Sequence, residues 1–356
     1  MSSVEIMKLI QGNVLSLKPY HVESTDCEIK LHANENPFPP SKELLELFSS
    51  SLQKLQLNRY PDPDSRALKD SIADRLGIET KHLVIGNGSD EIILFLLQVF
   101  CQKGDTITFP DPTFSMYSII AQSLGIKSVS ISLDNHWDFS ADVILQSAEE
   151  NNSKIIFLSY PNNPTGNCFS DTQVQKVIDN FQGIVVIDEA YHDFSRKSFV
   201  NQIKEHNNLI VLRSLSKIGL AALRVGFGVA DPLVISEINK VRLPYNSNTI
   251  SQVFAENLIT NFEAVQTQIN SILDERHRLL DELHKIESVT AFPSDSNFIL
   301  FKTKQPAGSI FAFLSKNGIL VRNLSSHPKL INCLRVTVGT KSENDRFLSK
   351  LKDFKN

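Results

Sequence analysis

The stretch Leu209-Ile210-Val211-Leu212-Arg213-Ser214-Leu215-Ser216-Lys217-Ile218-Gly219-Leu220-Ala221-Ala222-Leu223-Arg224-Val225-Gly226-Phe227-Gly228-Val229 sets two hydroxyls, one lysine and one arginine between two apolar runs. Both runs are short and rich in branched residues, the pattern of strands buried on both faces. The polar segment between them is therefore expected on a tight turn in the fold's interior. An amine beside serines and an arginine suits a phosphorylated aldehyde: the lysine forms a Schiff base while Ser and Arg hold the phosphate. Taken alone, the same residues also describe a surface turn with a solvated lysine.

Upstream, strand, turn and helix repeat from about residue 80. The first unit is Leu83-Val84-Ile85, then Gly86-Asn87-Gly88, then Ser89-Asp90-Glu91 opening an apolar helix. Further strands are predicted over 106–109, 128–132, 155–159, 184–188 and 209–212, with a helix over 171–180 between two of them. This alternation predicts an α/β fold with a largely parallel sheet covered by helices on both faces. In such sheets ligands sit outside the carboxyl ends of the strands, and polar residues cluster at those ends here. The first 30 residues read as an arm or helix closed by Pro19-Tyr20. A helix is predicted from Ser41, and a long helical region over 251–284 precedes a smaller α+β segment. The expected organisation is an arm contributing to a small domain (1–40), a large domain (41–250) and a small C-terminal domain (251–356).

The composition excludes several classes of function. The 356 residues carry 36 basic and 40 acidic side chains, a net charge of −4, and 41% apolar residues. With no basic stripe, nucleic acid and anionic membranes are not expected as partners. Cys27, Cys101, Cys168 and Cys333 are scattered without a C-x-x-C pair, which predicts free thiols in a reducing cytosol and no metal site. Glu5 and Lys8 interrupt any secretory signal, and the apolar run 92–101 is too short to span a bilayer. The chain is expected to be cytoplasmic.

Several stretches place chemistry-bearing residues at strand ends. Gly86-Asn87-Gly88-Ser89-Asp90 offers backbone N–H groups at a helix N-terminus for an anion, or a plain turn capped by Ser89 or Asp90. Ser159-Tyr160-Pro161-Asn162-Asn163-Pro164-Thr165-Gly166 is either a structural turn or a holder for a hydrogen-bonding Asn. Ile184-Val185-Val186-Ile187-Asp188-Glu189-Ala190-Tyr191 puts Asp188 at the tip of a buried strand. The magnesium-binding strand of a P-loop ATPase looks similar, but G-x-x-x-x-G-K-[ST] is missing from the chain. An Asp in an apolar site stays ionised beside a cation, and a protonated pyridine nitrogen is such a cation. Phe114, after Pro110-Asp111-Pro112-Thr113, is a ring-stacking group or a core residue. Arg322 and Arg335 lie in apolar strand-like runs, facing either an incoming anion or a structural acid.

In their order along the chain these residues resemble the fold-type-I pyridoxal-phosphate aminotransferases, and within them the histidinol-phosphate aminotransferases. The resemblance runs from Pro19-Tyr20 through Asn34-Glu35-Asn36-Pro37, Arg59-Tyr60-Pro61-Asp62 and Gly88-Ser89-Asp90-Glu91. It continues through Asn162-Asn163-Pro164-Thr165-Gly166, Asp188-Glu189-Ala190-Tyr191 and Ser214-Leu215-Ser216-Lys217 to Leu334-Arg335-Val336-Thr337-Val338-Gly339-Thr340. It implies pyridoxal phosphate as cofactor, with Lys217 as its Schiff-base lysine and Asp188 on its pyridine nitrogen. Tyr191 and Asn163 would bond its phenolic oxygen, and Phe114 would stack where the family usually has Tyr. Ser89, Asp90, Ser214, Ser216 and Arg224 would hold its phosphate. Arg224 follows Lys217 by seven residues where eight are common, so a tighter loop must carry its reach. Tyr60 is expected to touch the phosphate of the other subunit, implying a homodimer with shared sites. Tyr20, Asn163, Arg322 and Arg335 would receive the substrate.

The implied reaction exchanges the amino group of histidinol phosphate with 2-oxoglutarate, giving imidazole-acetol phosphate and glutamate in histidine biosynthesis. Lys217 would act as the general base and an Arg pair would accept either phosphate or carboxylate. The rival readings are an aromatic or other amino-acid aminotransferase, a threonine-phosphate decarboxylase of the same fold, and a non-catalytic cofactor-binding regulator.

Overall fold

Alternate residues of a strand point to opposite faces, so a strand buried on both sides must be apolar at every position. The computed structural model, which describes residues 3–19 and 26–354, shows how the apolar runs of this chain meet that demand. Its strands are β1 (Ile29–Lys30), β2 (Leu83–Asn87), β3 (Thr106–Asp111), β4 (Lys127–Ser132), β5 (Ser153–Ser159), β6 (Ile184–Asp188) and β7 (Leu209–Ser214), then β8 (Val225–Val229), β9 (Val289–Ala291), β10 (Phe298–Thr303), β11 (Ile319–Leu320), β12 (Arg322–Asn323) and β13 (Cys333–Thr337). Seven of them form one sheet in the order β2-β8-β7-β6-β5-β3-β4. The pairs from β7 to β4 are parallel, and β8 runs antiparallel to both its neighbours. The predicted α/β class and mostly parallel sheet are therefore observed.

The two faces separate cleanly. Val185, Ile187, Leu209 and Val211 join the core that includes Ala141–Glu150 and Asp171–Asn180, while Val186, Ile210 and Leu212 join the one that includes Ser89–Phe100 and Pro232–Val241. Each such side chain contributes about 1.5–3 kcal/mol by leaving water. The predicted strand over 209–212 extends to Ser214 because β8 pairs onward with it, Arg213 against Phe227 and Ser214 against Gly226.

The predicted helical region over 251–284 is two helices, Thr249–Thr260 and Phe262–His284. They part at Asn261, whose side-chain Nδ2 donates to Asn257 O at 2.9 Å, the local competition with helix bonding that Asn brings. Beyond them β12-β13-β10-β9 form a four-stranded antiparallel sheet. Near the N-terminus, β1 pairs in parallel with β11. The helix predicted from Ser41 is Lys42–Leu52, with Ser41 Oγ accepting from Leu44 N at 3.2 Å. The first residues form short helices, Ser3–Met7 and Gly12–Leu15, and Asn13 fastens the second by donating to Ser123 O at 2.8 Å. Tyr20 lies outside the described residues. Among those described, all four cysteines are free thiols and no helix is long and apolar enough to cross a membrane.

Candidate active site

At the carboxyl ends of β2, β3, β5, β6 and β7 lies a cavity of about 590 Å³. Ser89, Asp90, Phe114, Asn163, Asp188, Tyr191, Ser214, Ser216, Lys217 and Arg224 all line it, together with Arg322 and Arg335 from the smaller sheet. Tyr60 is placed elsewhere: it is 81% exposed and stacks on Tyr245, ring centroids 4.6 Å apart.

At one end, β2 turns into the helix Ser89–Phe100. The turn is not capped by Ser89 or Asp90; Gly88 holds the cap position at φ 79, with no side-chain cap. The first N–H groups of that helix are left for a ligand to satisfy. Two glycines keep this end open. A Cβ on Gly88 would lie 2.7 Å from Arg224 Nη2, and one on Gly226 would lie 2.3 Å from Ser89 N. Arg224 itself adopts φ 54, a left-handed turn into β8. Because β8 is antiparallel, its first residues lie at the same sheet edge as the ends of β2 and β7. The shortened segment after Lys217 therefore still delivers the guanidinium, which bonds Ser216 Oγ at 3.2 Å and Asp90 Oδ2 at 3.4 Å. Burial raises the Asp90 pKa, with Arg224 and then Lys217 opposing. Ser214 Oγ accepts from Ser216 N at 3.2 Å and shapes the turn carrying Lys217. The Lys217 amine donates to Ala33 O at 3.3 Å.

In the middle of the cavity the adjacent acids Asp188 and Glu189 have opposite fates. Asp188 Oδ2 accepts from Tyr117 Oη at 2.9 Å and Oδ1 from Ala190 N at 3.1 Å. Burial raises Asp188 to about 6, and those two bonds only partly restrain the rise. Glu189 faces away, buried against Arg213 at 3.0 Å and Ser198 at 2.8 Å. Tyr191 Oη accepts from Asn34 Nδ2 at 2.9 Å and Asn163 Nδ2 at 3.3 Å. With both acceptor positions used, its single proton is left to donate into the cavity. Phe114 meets Tyr117 edge-on, centroids 5.5 Å apart.

At the far end Arg322 and Arg335 are direct cross-strand partners of β12 and β13. Like charges so placed repel, and a shared anion converts that repulsion into attraction. Arg335 is buried, donates to Asn163 Oδ1, and reaches His32 O at 2.8 Å.

No role is read from the sequence for Tyr117, Asn34, His32 or His327, which the structure brings to this site. Tyr117 sits inside an apolar helix, but a buried tyrosine hydroxyl seeks a partner, which was the available signal. Asn34 adopts φ 56, a conformation in which Asn is enriched. His32 and His327 line the cavity through contacts distant in sequence, with no local signature.

Residues 27–351 match the family described as Aminotransferase class I and II. A histidinol-phosphate aminotransferase of Aquifex aeolicus is 40% identical over 346 residues, covering 97% of this chain and 98% of the relative. Histidinol-phosphate aminotransferase 2 of Nitrosococcus oceani is 39% identical over 355 residues, 99% of both chains. The fold also matches the crystal structure of histidinol-phosphate aminotransferase from Sinorhizobium meliloti in complex with pyridoxal-5'-phosphate, with TM-score 0.88 and 20% identity over 97% of this chain and 96% of that one. This chain belongs to the class I and II aminotransferase family.

Proposed function

We propose that this protein is a pyridoxal-phosphate-dependent aminotransferase interconverting histidinol phosphate plus 2-oxoglutarate and imidazole-acetol phosphate plus glutamate, in histidine biosynthesis. The observation that carries the substrate is the pair Arg322–Arg335, directly opposite each other across two strands and facing the cavity that also holds the Lys217 amine. Two guanidiniums can give paired N–H bonds to a phosphate, and the same fork accepts a carboxylate.

The residues fit the cofactor. The opening kept by Gly88 and Gly226, the N–H groups of Ser89 and Asp90, and the side chains of Ser214, Ser216 and Arg224 suit its phosphate. Phe114 supplies a stacking ring. When bound, pyridoxal phosphate supplies an aldehyde that condenses with amines and a ring that takes up the electron pair left by Cα deprotonation.

This chain's own groups then hold and move protons. Asp188, ionised above about 6, is held still by Tyr117 and Ala190 and keeps a ring N–H⁺ in place; that cation in turn favours its charge. Tyr191 would donate a hydrogen bond to the cofactor's phenolic oxygen, with Asn34 and Asn163 fixing its own oxygen. Lys217, whose Nζ lines the cavity, would be the base that takes the substrate's Cα proton and the acid that gives it back.

The proposal extends to a cytoplasmic homodimer. The exposed Tyr60–Tyr245 stack supports a Tyr60 reaching the phosphate of a second subunit. Asn163, which bonds Arg335, joins the arginines around the substrate. The division into an arm (1–40), a large domain (41–250) and a small domain (251–356) is supported by the pairing of β1 with β11.

Purified protein tested with histidinol phosphate, phenylalanine and threonine phosphate decides between this reading and its rivals. Amino transfer from histidinol phosphate to 2-oxoglutarate is expected. Carbon dioxide released from threonine phosphate, or a preference for phenylalanine, would overturn it.

A further inference from the structure

His32 is not used by the chemistry above, yet it lines the anion end of the cavity. Its backbone is fixed there by the 2.8 Å bond from Arg335 Nη2 to His32 O, while its ring nitrogen Nδ1 is buried with no hydrogen-bond partner. Among the described residues, the charges acting on the ring are Glu35 on the same loop, Lys30 in β1, Arg322 in β12 and Arg335 in β13. A ring nitrogen buried without a partner is an unsuitable place for a charge unless an anion arrives to share its proton.

We propose that His32 is a third, proton-gated member of the anion site: neutral when the site is empty, and protonated when a dianion settles between Arg322 and Arg335. This inference rests on the reading of that arginine pair as the site of the substrate's phosphate. It answers a problem the reaction poses, since one site must hold a phosphate dianion in one half-reaction and a carboxylate monoanion in the other. Two fixed guanidiniums serve both anions. A histidine that takes up a proton only for the dianion adds charge where it is needed and withholds it where it is not.

The direction of the linkage follows from the surroundings. Burial first, then Arg322, Arg335 and Lys30, lower the pKa of His32, and Glu35 opposes them. A bound dianion raises it. Between the two values binding takes up a proton, so affinity for a dianion strengthens as pH falls through that window. A monoanion moves the pKa less and gains less.

Sulfate is the probe, because it stays dianionic throughout this range and contributes no proton of its own. Its binding to the cofactor-loaded enzyme is followed calorimetrically in two buffers of different ionisation enthalpy, which counts protons taken up. The wild-type protein is expected to take up a substantial fraction of one proton near neutral pH, and His32→Asn or His32→Gln to take up markedly less. Either variant keeps the backbone carbonyl that holds Arg335. At about pH 6 the variants should bind sulfate roughly tenfold more weakly, the effect of losing one charged contact, with KM for glutamate little changed. Equal proton uptake in wild type and variants would overturn the assignment of His32. So would wild-type sulfate inhibition that is flat with pH, a result needing no variant. Sulfate that fails to compete with histidinol phosphate at all would instead overturn the underlying arginine-pair site, a failure separable from that of His32.

Discussion

Replacing Asp188 by Asn isolates the cost of keeping an anion at the end of β6. Burial raises this group to about 6, roughly two pH units above an ordinary aspartate, which is about 3 kcal/mol in favour of the neutral form. Because the folded-state pKa lies above the unfolded one, the penalty is absent below about pH 4. It grows as pH rises through 6 and is complete at about pH 7.5. Asn carries no charge at any pH, and its Oδ1 can still accept from Tyr117 Oη. Its Nδ2, however, would face the Ala190 N–H that Asp188 Oδ1 now accepts at 3.1 Å, a loss of about 1 kcal/mol. Cofactor-free Asp188→Asn should therefore be about 2 kcal/mol more stable than wild type at about pH 7.5, and about 1 kcal/mol less stable at about pH 4. Urea titrations of the cofactor-stripped proteins at both values measure this. The same variant, reloaded with cofactor, should turn over very slowly, since an amide cannot hold a ring nitrogen's proton. A variant equally destabilised at both pH values would refute the reasoning, because the carboxylate would then carry no burial penalty.

The neighbouring acid should behave in the opposite way: Glu189→Ala leaves Arg213 without its buried partner and should cost about 3–5 kcal/mol in the same titration, and a neutral result would contradict the structural role. Lys217→Ala should lose nearly all turnover and the borohydride-stable link between chain and cofactor; a retained link would assign the chemistry to another lysine. Mixing inactive Tyr60→Ala with inactive Lys217→Ala subunits should restore activity in mixed dimers, each of which owns one site with both residues intact. No recovery despite proven subunit exchange would mean that Tyr60 serves its own subunit.

Much of this fold was legible because its inner strands, β5 to β7, are buried on both faces and so read as nearly continuous apolar runs. Ile184–Asp188 and the helix Asp171–Asn180 fall where the pattern put them. Boundaries set by pairing rather than composition were hidden: Arg213 belongs to β7 only because Phe227 lies opposite it. The break at Asn261 was visible only as one more polar residue in an amphipathic run. In the site, residues at strand ends could be found, since topology brings those ends together. Their partners could not. Tyr117 meets Asp188 across 71 positions and Asn34 meets Tyr191 across 157, contacts that leave no local trace. Nor does spacing say which of two adjacent acids faces the cavity; the alternation of side chains along the chain decides it, turning Asp188 inward and Glu189 toward Arg213.

The most direct measurement is the ratio of kcat/KM for histidinol phosphate to that for histidinol, taken in wild type and in Arg322→Ala. Wild type should strongly prefer the phosphorylated amine. Losing one charged contact, about 1.5–3 kcal/mol, should lower the variant's ratio by roughly one to two decades, with cofactor affinity much less affected. A wild-type ratio near unity, or a ratio untouched by the substitution, would contradict the claim that the paired arginines select a phosphorylated substrate.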